Sequence, residues 1–180
     1  MRPHVILDLE TLCRKPSAVI LEIGALSFDP VTLKPSQSLE LTLSPFGQTL
    51  KGRTVELDTI AWHANQGNPI TFSRWFQGAR LKPSLIALRD WLARINPDHV
   101  WIWGADFDRP IIENACNSFR IDLPWRYHRT MDARTVWNMA FPDTRHDPRS
   151  HRALEDCVAS LRDLKAARKH LGLEGTEVAA

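Results

Sequence analysis

The chain has 180 residues, 43% of them apolar and 24% charged, which is the length of one compact domain and the composition of a soluble globular protein. No apolar run approaches the roughly 20 residues of a bilayer crossing, and the short apolar stretch ahead of Asp8 and Glu10 does not read as a signal peptide. A formal net charge of +2 is compatible with a polyanionic partner without requiring one.

The first 43 residues carry strand signals. Residues 5–9 form a short apolar run. Residues 18–28 form a second, closed by Asp29-Pro30, and residues 38–43 alternate polar and apolar in the period-2 manner of a half-buried strand. Strands this close together predict an antiparallel meander. Helical signals follow. Asp58 is placed to cap a short helix that runs through Trp62 and stops at Gly67-Asn68-Pro69. A second helix starts near Pro83, with Leu85, Leu88, Leu92 and Ile95 on one face, and Asn96-Pro97 stops it. Residues 100–103 read as a buried strand. Ile111, Ile112, Ala115 and Phe119 fit a helix entered through Pro110, a residue suited to a first turn. A short strand is expected near Tyr127. The last helix runs from about Arg152 to Leu171, with Leu154, Val158, Leu161 and Leu164 or Lys165 marking its inner face. Residues 1–172 thus read as a single domain, with 173–180 as a frayed tail. The order predicts an α/β fold: a mixed sheet, a three-stranded antiparallel meander plus parallel strands, flanked by helices.

Three acidic pieces stand out. Asp8 and Glu10 are at i and i+2 of the first strand, so they share a face about 6.6 Å apart at Cα while Leu7 and Leu9 point into the core. Two carboxylates converging beside an apolar strand repel each other, and a cation between them resolves the conflict. A polar edge-strand face is the plainer alternative. The second piece is Trp103-Gly104-Ala105-Asp106-Phe107-Asp108, where a strand ends, Gly104 allows a turn and acids meet a helix entrance. Strand carboxyl ends are where α/β proteins place ligands, although either aspartate also reads as a helix cap. The third piece is His151-Arg152-Ala153-Leu154-Glu155-Asp156. At i and i+5 of one helix two side chains diverge by about 140°. His151 and Asp156 meet only if His151 sits in the loop before the helix, which Pro148 and Ser150 favour. His146 is the competing histidine. Cys13, Cys116 and Cys157, odd in number and in no CxxC spacing, read as free thiols in a reducing compartment, with the cytoplasm expected.

Taken together, the Asp-x-Glu-Thr at 8–11, the Phe107-Asp108 after a strand and the His-x-Ala-x-x-Asp at 151–156 resemble the DEDDh 3′→5′ exonucleases of the DnaQ-like, ribonuclease H-like superfamily. The resemblance spans residues 4–165. Residues 12–28, with Pro16 and Ile23-Gly24-Ala25, and Arg53-Thr54-Val55 with Trp62, resemble the small single-domain phage and bacterial exonucleases related to a bacterial exoribonuclease. Many relatives have an asparagine near Gly104, where this chain has Ala105-Asp106, so Asp106 stands as a rival to Asp108.

The resemblance implies a ribonuclease H-like sheet and a hydrolase that releases nucleoside 5′-monophosphates from a 3′ end. It implies that Asp8, Glu10, Asp108 and Asp156 hold two divalent cations, Mg²⁺ or Mn²⁺, with His151 as general base. All-carboxylate sites suit such hard cations. For the terminal nucleotide the candidates are the backbone at Thr11 and Leu12, with Trp62 and Phe107 as stacking surfaces. Ordinary packing is the alternative for Trp62, and for Trp75, Trp91, Trp101, Trp103 and Trp137 it is the expectation. Arg129, with Arg126 and Arg134, forms a basic stretch able to meet phosphates or simply to face solvent. The expected partner is a nucleic acid 3′ end, RNA rather than DNA through the subgroup resemblance alone. Relatives suggest a homodimer, and no membrane is involved. Two rival readings are a ribonuclease H-like endonuclease or resolvase, against which His151 argues, and a catalytically silent nucleic-acid-binding module on the same fold.

Overall fold

The computed structural model describes residues 1–65, 69–146 and 148–175. Three strands open the chain: β1 (His4–Thr11), β2 (Ile20–Phe28) and β3 (Pro35–Thr42). β1 pairs antiparallel with β2, and β2 with β3, which is the expected meander. Asp29 shapes the turn between β2 and β3 by accepting the N–H groups of Val31 and Thr32 at 3.0 and 2.7 Å. β4 (Val100–Ile102) joins the other edge of β1 in parallel, and β5 (Thr130–Asp132) joins β4 in parallel. The order is β3-β2-β1-β4-β5.

Helices cover both faces: α1 (Phe46–Thr49), α2 (Leu57–Asn65), α3 (Pro69–Phe76), α4 (Leu81–Ile95), α5 (Asp108–Asn117), α6 (Ala133–Ala140) and α7 (Ala153–His170). The period-2 alternation of β1 divides the core. Val5, Leu7 and Leu9 pack with Leu85, Leu88 and Leu92 of α4 and Ile111 and Ile112 of α5. Ile6 on the opposite face packs with Trp101 and with Cys157, Leu161 and Leu164 of α7. Full burial contributes about 1.5–3 kcal/mol per aliphatic side chain, so the burial of both faces strongly specifies how β1 is placed in the sheet. The mixed sheet between helix layers matches the expected fold.

Some expectations change in detail, and others fall on residues outside those described. Gly67 and Asn68, read as the end of a helix, lie outside the described residues. Pro69 begins α3, because a proline that stops one helix is equally suited to the first turn of the next. Near Tyr127 the chain forms a 3₁₀ turn, Tyr127–Arg129, that leads into β5, and the short α6 follows without a distinct signal. The inner face of α7 is rotated from the expected one. Val158 is 54% exposed, while Ala153, Asp156, Cys157, Ser160, Leu161, Leu164 and Ala167 are buried. Of the expected frayed tail, residues 176–180 lie outside the described residues. The three cysteines are free and buried, and no helix among the described residues is long and apolar enough to cross a membrane.

Candidate active site

β4 is only three residues long, so its pairing with β1 ends at Ile6–Trp101 and leaves the carboxyl end of β1 open. Gly104, at φ +93°, turns the chain away after β4, and α5 begins at Asp108. The freed Leu9 N–H, between Asp8 and Glu10, donates to Asp108 Oδ1 at 3.1 Å. A backbone group that would otherwise continue the sheet therefore docks the third acid against the first two.

The fourth acid arrives from α7. Asp156, in the first turn of that helix, accepts hydrogen bonds from Ser150 N (2.9 Å), Ser150 Oγ (3.0 Å) and His151 N (3.1 Å). His151 lies in the loop before the helix with φ +57°. Ligand atoms of Glu10, His151 and Asp156 fall within 4.8 Å of one another. Asp8, Glu10, Asp108, Asp156 and His151 line one cavity of about 810 Å³, together with Thr11, Trp62, Trp103, Phe107 and Arg149.

Glu10, Asp108 and Asp156 are buried, and their electrostatics reflect crowding. Asp8 is held well above the usual carboxylate range by burial first and then by Asp108, Glu10 and Asp156, while Arg149 acts in the opposite sense. Glu10 is pushed up to about 8 by burial and by Asp156, Glu22 and Asp108. Burial also raises Asp108. His151 is lowered by burial, with Asp156 opposing, so it is neutral at neutral pH. Clustered acids that resist ionisation in isolation are what a bound cation would stabilise, and an all-oxygen donor set fits a hard divalent ion. These residues therefore fit metal ions.

Trp62 on α2 is 41% exposed and meets the His151 ring edge-on, with centroids 4.3 Å apart. Phe107 and Trp103 also line the cavity, so a base entering it has aromatic surfaces at hand. Thr11 contributes to the cavity, and its carbonyl is 2.9 Å from His63 Nε2. Leu12 does not line it: its side chain packs with Val19, Leu21 and Trp75, its N–H donates to Val19 O, and its carbonyl accepts from Glu56 N. Arg129 is also elsewhere. Its Nη1 pairs with Asp98 Oδ1 at 2.9 Å, just ahead of the amino end of β4, opposite the end that carries the acids. Because β5 runs parallel to β4, a residue just ahead of β5 lies at that remote end. Asp106 turns outward to Arg134 at 3.4 Å, and His146 packs edge-on against Trp103 with centroids 5.0 Å apart, so neither rival lines the cavity. Sequence reasoning missed Arg149 and assigned Trp103 to packing. Both reach the cavity through a loop whose path has no periodic signal.

The sheet order, the helix layers and the acidic cavity define a ribonuclease H-like nuclease fold, and solved structures share it. The nuclease domain of 3′hExo, a DEDDh family member bound to rAMP, superposes with a TM-score of 0.70 at 14% identity over 98% of this chain and 96% of that one. A zinc-ion-bound exonuclease I–ssDNA complex from E. coli gives 0.70 at 12% identity over 96% of this chain. A product-bound exonuclease I gives 0.71 at 12% over 96%. The chain spans 42% and 44% of those two proteins, respectively. Among curated proteins, none matches the sequence. The chain belongs to the Rv2179c-like 3′-5′ exoribonuclease domain family, whose profile matches residues 3–167. Membership of that family makes it a hydrolase, a 3′→5′ exonuclease.

Proposed function

We propose that the protein removes nucleoside 5′-monophosphates one at a time from the 3′ end of RNA, with Asp8, Glu10, Asp108 and Asp156 holding two Mg²⁺ or Mn²⁺ ions and His151 as general base. The observation that carries the reading is the convergence of four carboxylates and one histidine in a single cavity. Bound there, the ions would supply charge neutralisation and Lewis acidity for in-line phosphoryl displacement. His151 accepts the proton of the attacking water, a role that its place in the cavity and its closeness to Glu10 and Asp156 support. The bond between phosphorus and the preceding 3′ oxygen breaks, leaving a shortened strand and a free 5′-monophosphate. Trp62 and Phe107 take the terminal base between apolar surfaces, and the Thr11 backbone faces the same nucleotide. The family description supports RNA, and the buried free thiols support a reducing compartment.

Matched 5′-labelled RNA and DNA oligonucleotides, incubated with Mn²⁺ and with EDTA, test the proposal. The expected result is an RNA ladder that shortens from the 3′ end, is absent in EDTA and forms more slowly on DNA. Internal cuts would indicate an endonuclease, no cleavage a binding module, and faster loss of DNA would overturn the substrate assignment.

A further inference from the structure

Residues 141–152 connect α6 to α7 and carry His151 near their end. His151 holds a left-handed backbone at φ +57°, a conformation that is strained for a non-glycine residue and persists only where neighbours over-determine it. The neighbours are unusually acidic. Ser150 and His151 are tied to Asp156, and Arg152 reaches Glu22 at 3.4 Å and Glu40 at 3.1 Å.

Arg149 is held differently. Its side chain is 11% exposed, its guanidinium carbon lies 4.2 Å over the Trp103 ring, and its Nη2 is 3.0 Å from Oδ2 of Asp163. Asp163, on the buried face of α7, is 5% exposed. Among the described residues, neither Arg149 terminal nitrogen is aligned in a hydrogen bond, and both are closed to solvent. A buried ion pair of this kind is a poor source of net stability, since desolvation offsets most of the attraction. Its geometric effect is clear, because it pins the turn two residues before the histidine to the middle of α7 and to the end of β4. A direct contact with substrate phosphate does not fit, since both terminal nitrogens are closed to solvent and Nη2 would have to leave Asp163 to reach it.

We infer that Arg149 is a positioning residue, clamped between Trp103 and Asp163 so that the turn presents His151 to Glu10 and Asp156. The inference rests on the exonuclease reading with His151 as base. Steady-state hydrolysis of a labelled RNA with Mn²⁺ is to be compared in wild type, Arg149→Met, His151→Ala and the double variant. Arg149→Met lowers kcat by about tenfold or more with KM little changed, and adds no further loss once His151 is alanine, as expected for a residue acting through another. Arg149→Lys, which retains the charge but not the planar stack, falls between wild type and Arg149→Met. If Arg149→Met fails to fold, the same cycle is run with Arg149→Lys. Losses that multiply in the double variant, or a raised KM with unchanged kcat, overturn the inference. Wild-type turnover by His151→Ala sinks the assignment of the base instead, and an inactive His151→Ala beside a wild-type-like Arg149→Met sinks only the role of Arg149.

Discussion

Gly24 stands opposite Asp8 in the β1–β2 ladder, and a Cβ on it would lie 2.3 Å from the carbonyl carbon of Ala153, the first residue of α7. The start of α7 thus rests directly on the sheet at the level of the first acid. This contact sets how far Asp156 and the turn before it reach over β1. Glu22, two residues earlier on β2 and fully buried, accepts from Ala153 N at 3.3 Å and completes the seat.

Gly24→Ala is therefore predicted to act at a distance of one helical turn from the chemistry. Its methyl group meets backbone rather than a flexible side chain, so α7 must shift. Overpacking of this kind costs about 1–3 kcal/mol. Urea unfolding should show that loss, and turnover should fall more than the folded fraction does. Wild-type turnover in a folded Gly24→Ala protein would mean that the seat does not position the site.

The carboxylates give stability a pH dependence of definite sign. Glu10, held at about 8 against an ordinary 4.5, binds a proton in the folded state that the unfolded chain has released, and Asp8 and Asp108 are shifted in the same direction. The metal-free protein should therefore lose stability as pH rises from about 4.5, the unfolded value, to about 8, the folded one. Mn²⁺ should raise Tm more at the upper end, where the ionised carboxylates it stabilises are most costly. Thermal melts in EDTA and in Mn²⁺ check this, and equal Mn²⁺ shifts at both pH values would contradict it.

At the opposite end of β1 the sign is reversed. His4 is buried, accepts from Trp101 Nε1 at 3.0 Å and is pushed down to about 4 by burial and by His99. Neutral His4 contributes stability that is present above its unfolded value of 6.5 and is lost as pH falls towards about 4. The full loss is about 3 kcal/mol. His4→Gln should flatten the fall in unfolding free energy between pH 6.5 and 4, and an unchanged slope would assign the acid sensitivity elsewhere.

Trp62 is predicted to act on substrate binding as well as on His151. Removal of a stacking aromatic costs about 1–3 kcal/mol per base, so Trp62→Ala should raise KM by about tenfold. Kinetics with oligonucleotides that end in different bases would measure this, and an unchanged KM would leave the ring as packing for His151 alone.

What was legible in the sequence is local. Asp8 and Glu10 share a face because strand periodicity is two, and His151 must precede the helix because five residues on a helix diverge. Burial of alternate residues made the meander readable. The remainder depended on long-range geometry. Pro69 reads equally as a stop and as a start. Val158 looked inward on apolarity alone, yet the buried face of α7 includes Asp156, which lines the cavity, and Asp163, which pairs with Arg149. Arg129 seemed placed for phosphate, and only the parallel pairing of β4 and β5 reveals that it sits at the far end of the sheet. Arg149 and Trp103 meet Asp163 and the cavity through contacts that no spacing along the chain encodes.

Titration of the metal-free protein with Mn²⁺, followed by loss of the free-ion paramagnetic resonance signal, probes the acidic cavity most directly. Two ions should bind to the wild type, fewer or weaker ones to folded Asp8→Asn and Asp156→Asn, with hydrolysis lost in parallel. Undiminished Mn²⁺ binding by those two variants would show that the ions sit elsewhere and that the four carboxylates are not the metal site.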